Sequence, residues 1–229
     1  FGELVFFANS GAEANECAIK IARRHHAASG HPERFRVLAF KGSFHGRTLA
    51  TIAAAGSPKN LDGFGPVVEG FDHAPYGDLE AATQAVGPHT AAILVEPIQG
   101  EGGIRVPDPA FLKGLRALAD RTGCLLMFDE VQCGMGRSGK LWAHEWAGMT
   151  PDIMAVAKAL GGGFPIGVIA GKREYMDALD GGHWDYGDDS IPTVGVTYFA
   201  GTFVRHPLAL IAAKAVLEKV AADYRVLGW

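Results

Sequence analysis

The sequence predicts an α/β fold, a mostly parallel sheet sandwiched by helices. Two observations carry that prediction. Short apolar runs alternate with amphipathic stretches along most of the chain. The runs are continuous in hydrophobicity, as strands buried on both faces are. With 229 residues, 48% of them hydrophobic, the chain is long enough to bury one large domain core.

Strands are expected at 4–8, 36–40, 91–95, 124–128, 152–156 and 166–170, and helices at 12–28, 78–86, 109–121, 173–179 and 207–221. The first strand, Leu4-Val5-Phe6-Phe7, runs into Ser10, which can cap the first helix, with Glu13 three residues on to complete a capping box. In the helix at 109–121, Phe111, Leu112, Leu115, Leu118 and Ala119 recur at three- and four-residue spacing. Asp108 precedes that helix and Pro109 stands in its first turn. Pro207 opens the last helix. Two stretches rich in glycine or proline, 56–77 and 180–201, read as irregular excursions.

Composition excludes several function classes. The net charge of -4 and pI near 6.1 give no electrostatic case for nucleic acid or an anionic membrane. Cys17, Cys124 and Cys133 lack metal-ligand spacing, so reduced thiols and no metal are expected. No run reaches the roughly 18 apolar residues of a membrane span, and no signal-peptide pattern opens the residues given. A cytoplasmic location is expected. Phe1 runs straight into a strand and Trp229 follows closely on a helical segment, so the chain reads as an internal piece of a longer protein.

Six stretches carry candidate chemistry. In Ala8-Asn9-Ser10-Gly11-Ala12-Glu13-Ala14-Asn15, between strand and helix, the free N–H groups of Ser10, Gly11 and Ala12 can cradle a phosphate. Taken alone, a plain helix cap is the simpler reading. Gly42-Ser43-Phe44-His45-Gly46-Arg47 offers an aromatic to lie on a planar ring and a guanidinium to grip a carboxylate. A core Phe with a solvated Arg explains it equally well. Glu96-Pro97-Ile98-Gln99-Gly100-Glu101 follows a strand, where α/β sheets bind ligands, so Glu96 and Glu101 are candidates for charge work or for a solvated loop. Asp129 ends an apolar run, where a carboxylate is expensive to bury unpaired; Val131 and Gln132 follow it. Lys158 stands between an apolar stretch and Gly161-Gly162-Gly163, where burial would make it nucleophilic; taken alone, a surface lysine is the simpler reading. Thr202, in Thr197-Tyr198-Phe199-Ala200-Gly201-Thr202, offers a hydroxyl and an N–H to a phosphate, although a β-rich strand also accounts for the stretch.

An amine at the end of one buried segment and a carboxylate at the end of another is the pairing a pyridoxal 5′-phosphate site needs. The lysine forms the Schiff base, and the carboxylate keeps the pyridine nitrogen protonated so that the ring serves as an electron sink.

Taken in order and spacing, the six stretches resemble the class III, fold-type I pyridoxal-phosphate-dependent aminotransferases over essentially the whole chain. The resemblance implies a large cofactor-binding domain spanning 1–229, without the family's N-terminal segment and C-terminal small domain. It implies that Lys158 holds the cofactor and shuttles the proton, and that Asp129 pairs with the pyridine nitrogen. Gln132 would bond the ring oxygen, with Val131 and Phe44 sandwiching the ring and His45 beside it. Gly11 and Ala12 would hold the phosphate, with Ser10 nearby, and Thr202 would reach the phosphate of a neighbouring subunit in a homodimer. Arg47 matches an arginine that binds the carboxylate remote from the reacting amine. Glu101 matches a glutamate that covers an active-site arginine and releases it for the second substrate; Glu96 is placed with these substrate residues. Residues 3–169 resemble the acetylornithine aminotransferases, whereas 170–220 resemble the glutamate-1-semialdehyde aminomutase-like aminotransferases. The implied reaction moves an ω-amino group from N2-acetylornithine to 2-oxoglutarate. Alternatives are an aminomutase-like or β-amino-acid-forming enzyme, and a cofactor-binding piece without turnover.

Overall fold

The computed structural model describes residues 1–179, 189 and 201–222. The expected excursion at 180–201, and residues 197–200 of the Thr202 stretch, lie almost wholly outside the described residues.

The chain forms β1 (Leu4–Ala8), α1 (Gly11–Ala28), β2 (Arg36–Phe40), α2 (Leu49–Ala55), α3 (Pro58–Leu61), β3 (Phe71–Ala74), α4 (Leu79–Ala85), β4 (Thr90–Val95), α5 (Pro109–Thr122), β5 (Leu125–Asp129), β6 (Ile153–Val156), β7 (Gly167–Gly171), α6 (Arg173–Met176) and α7 (Pro207–Ala222). Short 3-10 helices follow β5 and β6 at Ala143–Ala147 and Lys158–Gly161. The seven strands form one sheet in the order β1-β7-β6-β5-β4-β2-β3. The contiguous pairs from β6 to β3 are parallel. β7 is antiparallel to both β1 and β6, so β7 alone is reversed and β1 runs with the rest. The mostly parallel sheet is therefore borne out.

Alternate residues on each strand serve two cores. Leu38, Phe40, Ile93, Val95, Leu126 and Phe128 face α5, the last helix α7 and their neighbours. Val37, Ala92, Leu94, Leu125, Met127 and Ile153 face α1. This explains why the central runs carry no polar alternation: both faces are covered.

The structure corrects the expectation in three places. Helix α2 follows Thr48 and ends at Gly56 in the left-handed conformation, φ 62°; its alanine-rich sequence lacks an amphipathic signature. The stretch 56–77 is not wholly irregular, because it holds α3 and the edge strand β3. Edge position lets β3 carry half-buried Asp72 and His73, which masks it as a strand in the sequence. The helix expected at 173–179 stops at Met176, since Ala178 and Leu179 bond to the carbonyls of Tyr175 and Met176, three residues back, tightening the turn out of α-helical geometry.

One glycine allows the sheet edge to close under α1. A Cβ on Gly167, at the start of β7, would collide with the backbone carbonyl of Ser10. Because backbone cannot rotate aside, Gly167→Ala is expected to lower stability by about 1–3 kcal/mol, read as a shift in the denaturant midpoint. An unchanged midpoint would contradict this packing.

Candidate active site

The topology delivers one end of six strands to one edge of the sheet. β1, β2, β4, β5 and β6 share a direction, so their carboxyl ends lie together, and the reversed β7 presents its first residue there. Ala8 pairs with Gly167 and Asp129 with Ala155. Asp129 is thus the last residue of β5, and Lys158 follows the adjacent β6 by two residues. Their separation of 29 in sequence becomes adjacency of strand ends.

A cleft of about 450 Å³ opens at this edge. Eleven of the thirteen residues singled out in the sequence line it: Ser10, Gly11 and Ala12; Phe44, His45 and Arg47; Glu96; Asp129, Val131 and Gln132; and Lys158. Glu101 lines a neighbouring cleft of about 560 Å³, which shares Phe44 and Arg47 with the first. It lies in a turn closed by the pairing of Gln99 with Arg105. Thr202 is exposed in the turn before α7 and lines neither cleft.

At the start of α1, Ser10 accepts from the Glu13 N–H at 3.2 Å. Glu13 reaches back one residue further than a capping box requires, accepting from the Asn9 N–H at 2.6 Å. Among the described residues the N–H groups of Gly11 and Ala12 have no recorded acceptor, and they carry the positive end of the helix dipole into the cleft. That is a fit for an anionic group such as a phosphate.

The loop from Gly42 to Arg47 is clamped from three sides. Glu96 accepts from the Phe44 N–H at 3.0 Å, and Asn15 donates to the His45 carbonyl at 2.9 Å. Gly46, at φ 134°, passes so close to α1 that a Cβ would approach the Ala12 Cα to 2.9 Å. The clamp leaves Phe44 on the cleft wall, with the Arg47 guanidinium 5.5 Å from its ring centre.

Asp129 is 3% exposed, and both of its oxygens accept hydrogen bonds. Oδ1 accepts from the Val131 N–H at 3.0 Å. Oδ2 accepts from Asn15 Nδ2 at 2.7 Å and from His45 Nδ1 at 2.8 Å. Its neighbour Glu130 serves structure, binding the Ala143 and His144 N–H groups and the His144 ring. Lys158 adopts φ 49°, a left-handed conformation unusual for a residue other than glycine. Such strain costs on the order of 1–3 kcal/mol and concentrates at functional positions. Val131 and Gln132 continue the wall, and the Gln132 side chain lies over Gly100.

Sequence reasoning gave Asn15, the last residue of the first stretch, no role. The available signal was its position: a polar residue four places after Gly11, on the face that α1 buries through Ala18 and Ala22. Among the described residues no group of His, Cys, Asp and Glu is arranged to hold a metal, and no helix is long and apolar enough to cross a membrane. The three cysteines are free and buried. The Cys17 thiol is pushed up to about 12 by burial.

Residues 1–226 match the family described as aminotransferase class-III. The chain belongs to the class III aminotransferases. It is 55% identical over 218 residues to acetylornithine aminotransferase 1 of Bradyrhizobium diazoefficiens, covering 95% of this chain and 50% of that protein. It is also 55% identical over 223 residues to the acetylornithine aminotransferase of Mesorhizobium japonicum, covering 97% and 52%. The latter match necessarily extends past residue 170, so similarity to acetylornithine aminotransferases continues through the part where the sequence reads as turning toward aminomutase-like enzymes. The ornithine aminotransferase of Toxoplasma gondii ME49 superposes with a TM-score of 0.87 at 33% identity, covering 99% of this chain and 51% of that one. A transaminase from the marine bacterium Virgibacillus gives 0.86 at 27% identity, covering 97% and 51%. The class III chain spans about half the length of the curated relatives it matches.

Burial pushes the Glu96 carboxyl up to about 7; His45 opposes the shift and Asp129 adds to it. The folded state therefore binds that proton more tightly than the unfolded chain, whose ordinary value is 4.5. Stability from this group is fully present below pH 4.5 and is lost as pH rises to about 7, at about 1.4 kcal/mol per pH unit. Glu96→Gln should flatten this dependence, gaining stability over the parent above pH 7 and not below 4.5. Parallel stability-versus-pH curves for the two chains would contradict the assignment.

Proposed function

We propose that this chain is the large, cofactor-binding domain of an acetylornithine-type aminotransferase that holds pyridoxal 5′-phosphate in the cleft at the sheet's carboxyl edge. The observation that carries the reading is the convergence of the Asp129 carboxylate, Lys158 and the N–H groups at the start of α1 on one cleft. When bound, the cofactor supplies an electron sink for the pair left behind when a substrate C–H proton departs.

The chain's own residues then have separate tasks. The N–H groups of Gly11 and Ala12 would hold the phosphate, with Ser10 fixing the turn. Phe44 and Val131 would bracket the ring, His45 would lie beside it, and Gln132 would reach the ring oxygen. Asp129 would meet the ring nitrogen as a charge-assisted acceptor. Lys158 Nζ would anchor the cofactor covalently. Displaced by the donor amine, it would carry the proton from the substrate carbon as general base and return it as general acid. Arg47, at the junction of the two clefts, would bind the donor's remote carboxylate, and Glu96 would hold the Phe44 wall in place behind it. Glu101, in the adjoining cleft, would act on the exchange between donor and acceptor.

The donor would be N2-acetylornithine and the acceptor 2-oxoglutarate, in two successive half reactions. The names and identities of the relatives support this donor. The whole protein would act in the cytoplasm as a homodimer, with Thr202 reaching the neighbouring site; its exposure and its place outside the lining of this chain's own cleft agree with that role.

The test is spectroscopic. Mixed with pyridoxal phosphate, the parent chain should develop the visible band of lysine-bound cofactor, and Lys158→Ala should not. N2-acetylornithine should bleach the band and 2-oxoglutarate should restore it with formation of glutamate. A band retained in Lys158→Ala overturns the lysine assignment. Bleaching by glutamate-1-semialdehyde or a β-amino acid, but not by N2-acetylornithine, overturns the donor. A band that no amine bleaches establishes a binding piece without turnover.

A further inference from the structure

Asn15 is 1% exposed and lines the cleft. Its Nδ2 donates to Asp129 Oδ2 at 2.7 Å and to the His45 carbonyl at 2.9 Å. Both partners are pure acceptors, so the amide has one allowed orientation and both of its hydrogens are spent. Asp129 is thereby held by donors from three separate elements: Asn15 on α1, the His45 ring in the 42–47 loop, and the Val131 N–H just beyond β5. Val131 and His45 hold one oxygen each, and Asn15 adds a second donor to Oδ2, tying that oxygen to α1 as well as to the 42–47 loop.

We propose that Asn15 is a positioning residue of this site, fixing the Asp129 carboxylate in the orientation that meets the cofactor's ring nitrogen. The inference rests on the pyridoxal phosphate reading above. A purely structural role, bridging α1 to the loop through the His45 carbonyl, would use the same amide but would have no reason to contact the carboxylate. Charge-assisted bonds are the stronger kind, and the bond to Asp129 is the shorter of the two.

Three variants separate these roles, each read by the unfolding midpoint of the cofactor-free chain, by the dissociation constant for pyridoxal phosphate and by the bound absorption spectrum. Asn15→Ala should weaken binding on the order of tenfold or more, the scale of one hydrogen bond to a charged group, and shift the pH at which the bound spectrum titrates. Asn15→Ser keeps a short donor and should recover part of the affinity. Asn15→Asp supplies a donor only while its carboxyl is protonated, so its affinity should approach the parent's at low pH and fall as pH rises. The other titratable groups of the cleft, His45, Arg47, Glu96, Asp129 and Lys158, are unchanged in all variants, so the parent's own pH profile is the reference. Should Asn15→Ala fail to fold, the Asn15→Asp profile still decides. Variants that lose stability but bind with the parent's affinity, spectrum and pH profile overturn the proposal and leave the bridging role. A parent chain that shows no lysine-dependent cofactor band overturns the cofactor reading itself, and with it this inference.

Discussion

The site is organised by a buried carboxylate. Asp129 ends a central strand with its charge almost wholly removed from water, which costs several kcal/mol unless donors replace the lost solvation. Three donors do so, and they come from α1, from the loop after β2 and from the turn after β5. Satisfying this one charge therefore ties together three parts of the chain that are far apart in sequence. The same bonds define the cleft: the donor loop carries Phe44 and Arg47, the donor helix offers its N-terminus, and the donor turn carries Val131 and Gln132.

The sheet makes that convergence possible. Parallel strands with covered faces place their carboxyl ends on one edge, and ligands in such folds bind there. Reversal of β7 leaves the edge intact, because β1 on its far side resumes the common direction. Gly167 and Gly46 then allow backbone segments to pass at distances no side chain permits. Lys158, held in a left-handed conformation two residues after β6, opens a short 3-10 helix that packs against α7. The strain and the buried charge sit on neighbouring strand ends.

Much of this was legible in the sequence, for identifiable reasons. The central strands announce themselves because burial on both faces leaves uninterrupted apolar runs, and α5 does so through strict helical spacing with Asp108 and Pro109 at its start. A carboxylate and an amine each ending such a run pointed to one edge of one sheet. Local patterns failed where tertiary placement decides. β3 is an edge strand with polar residues, and α2 is a seven-residue helix with four alanines, so neither carries a clear period. Asn15 is a polar residue inside a helix, whose partners stand 30 and 114 residues away in sequence. The separation of Arg47 from Glu101, shared by two clefts in one case and confined to the second cleft in the other, is likewise a property of packing that spacing does not encode.

The central claim is that the Asp129 charge, held by its three donors, meets the ring nitrogen of bound pyridoxal phosphate. Its most direct measurement is the dissociation constant and bound spectrum of pyridoxal phosphate with Asp129→Asn, in a chain shown to be folded by its unfolding transition. The account predicts affinity lower by about tenfold or more and a visible band whose pH titration departs from the parent's. A folded Asp129→Asn chain with the parent's affinity and spectrum would contradict it.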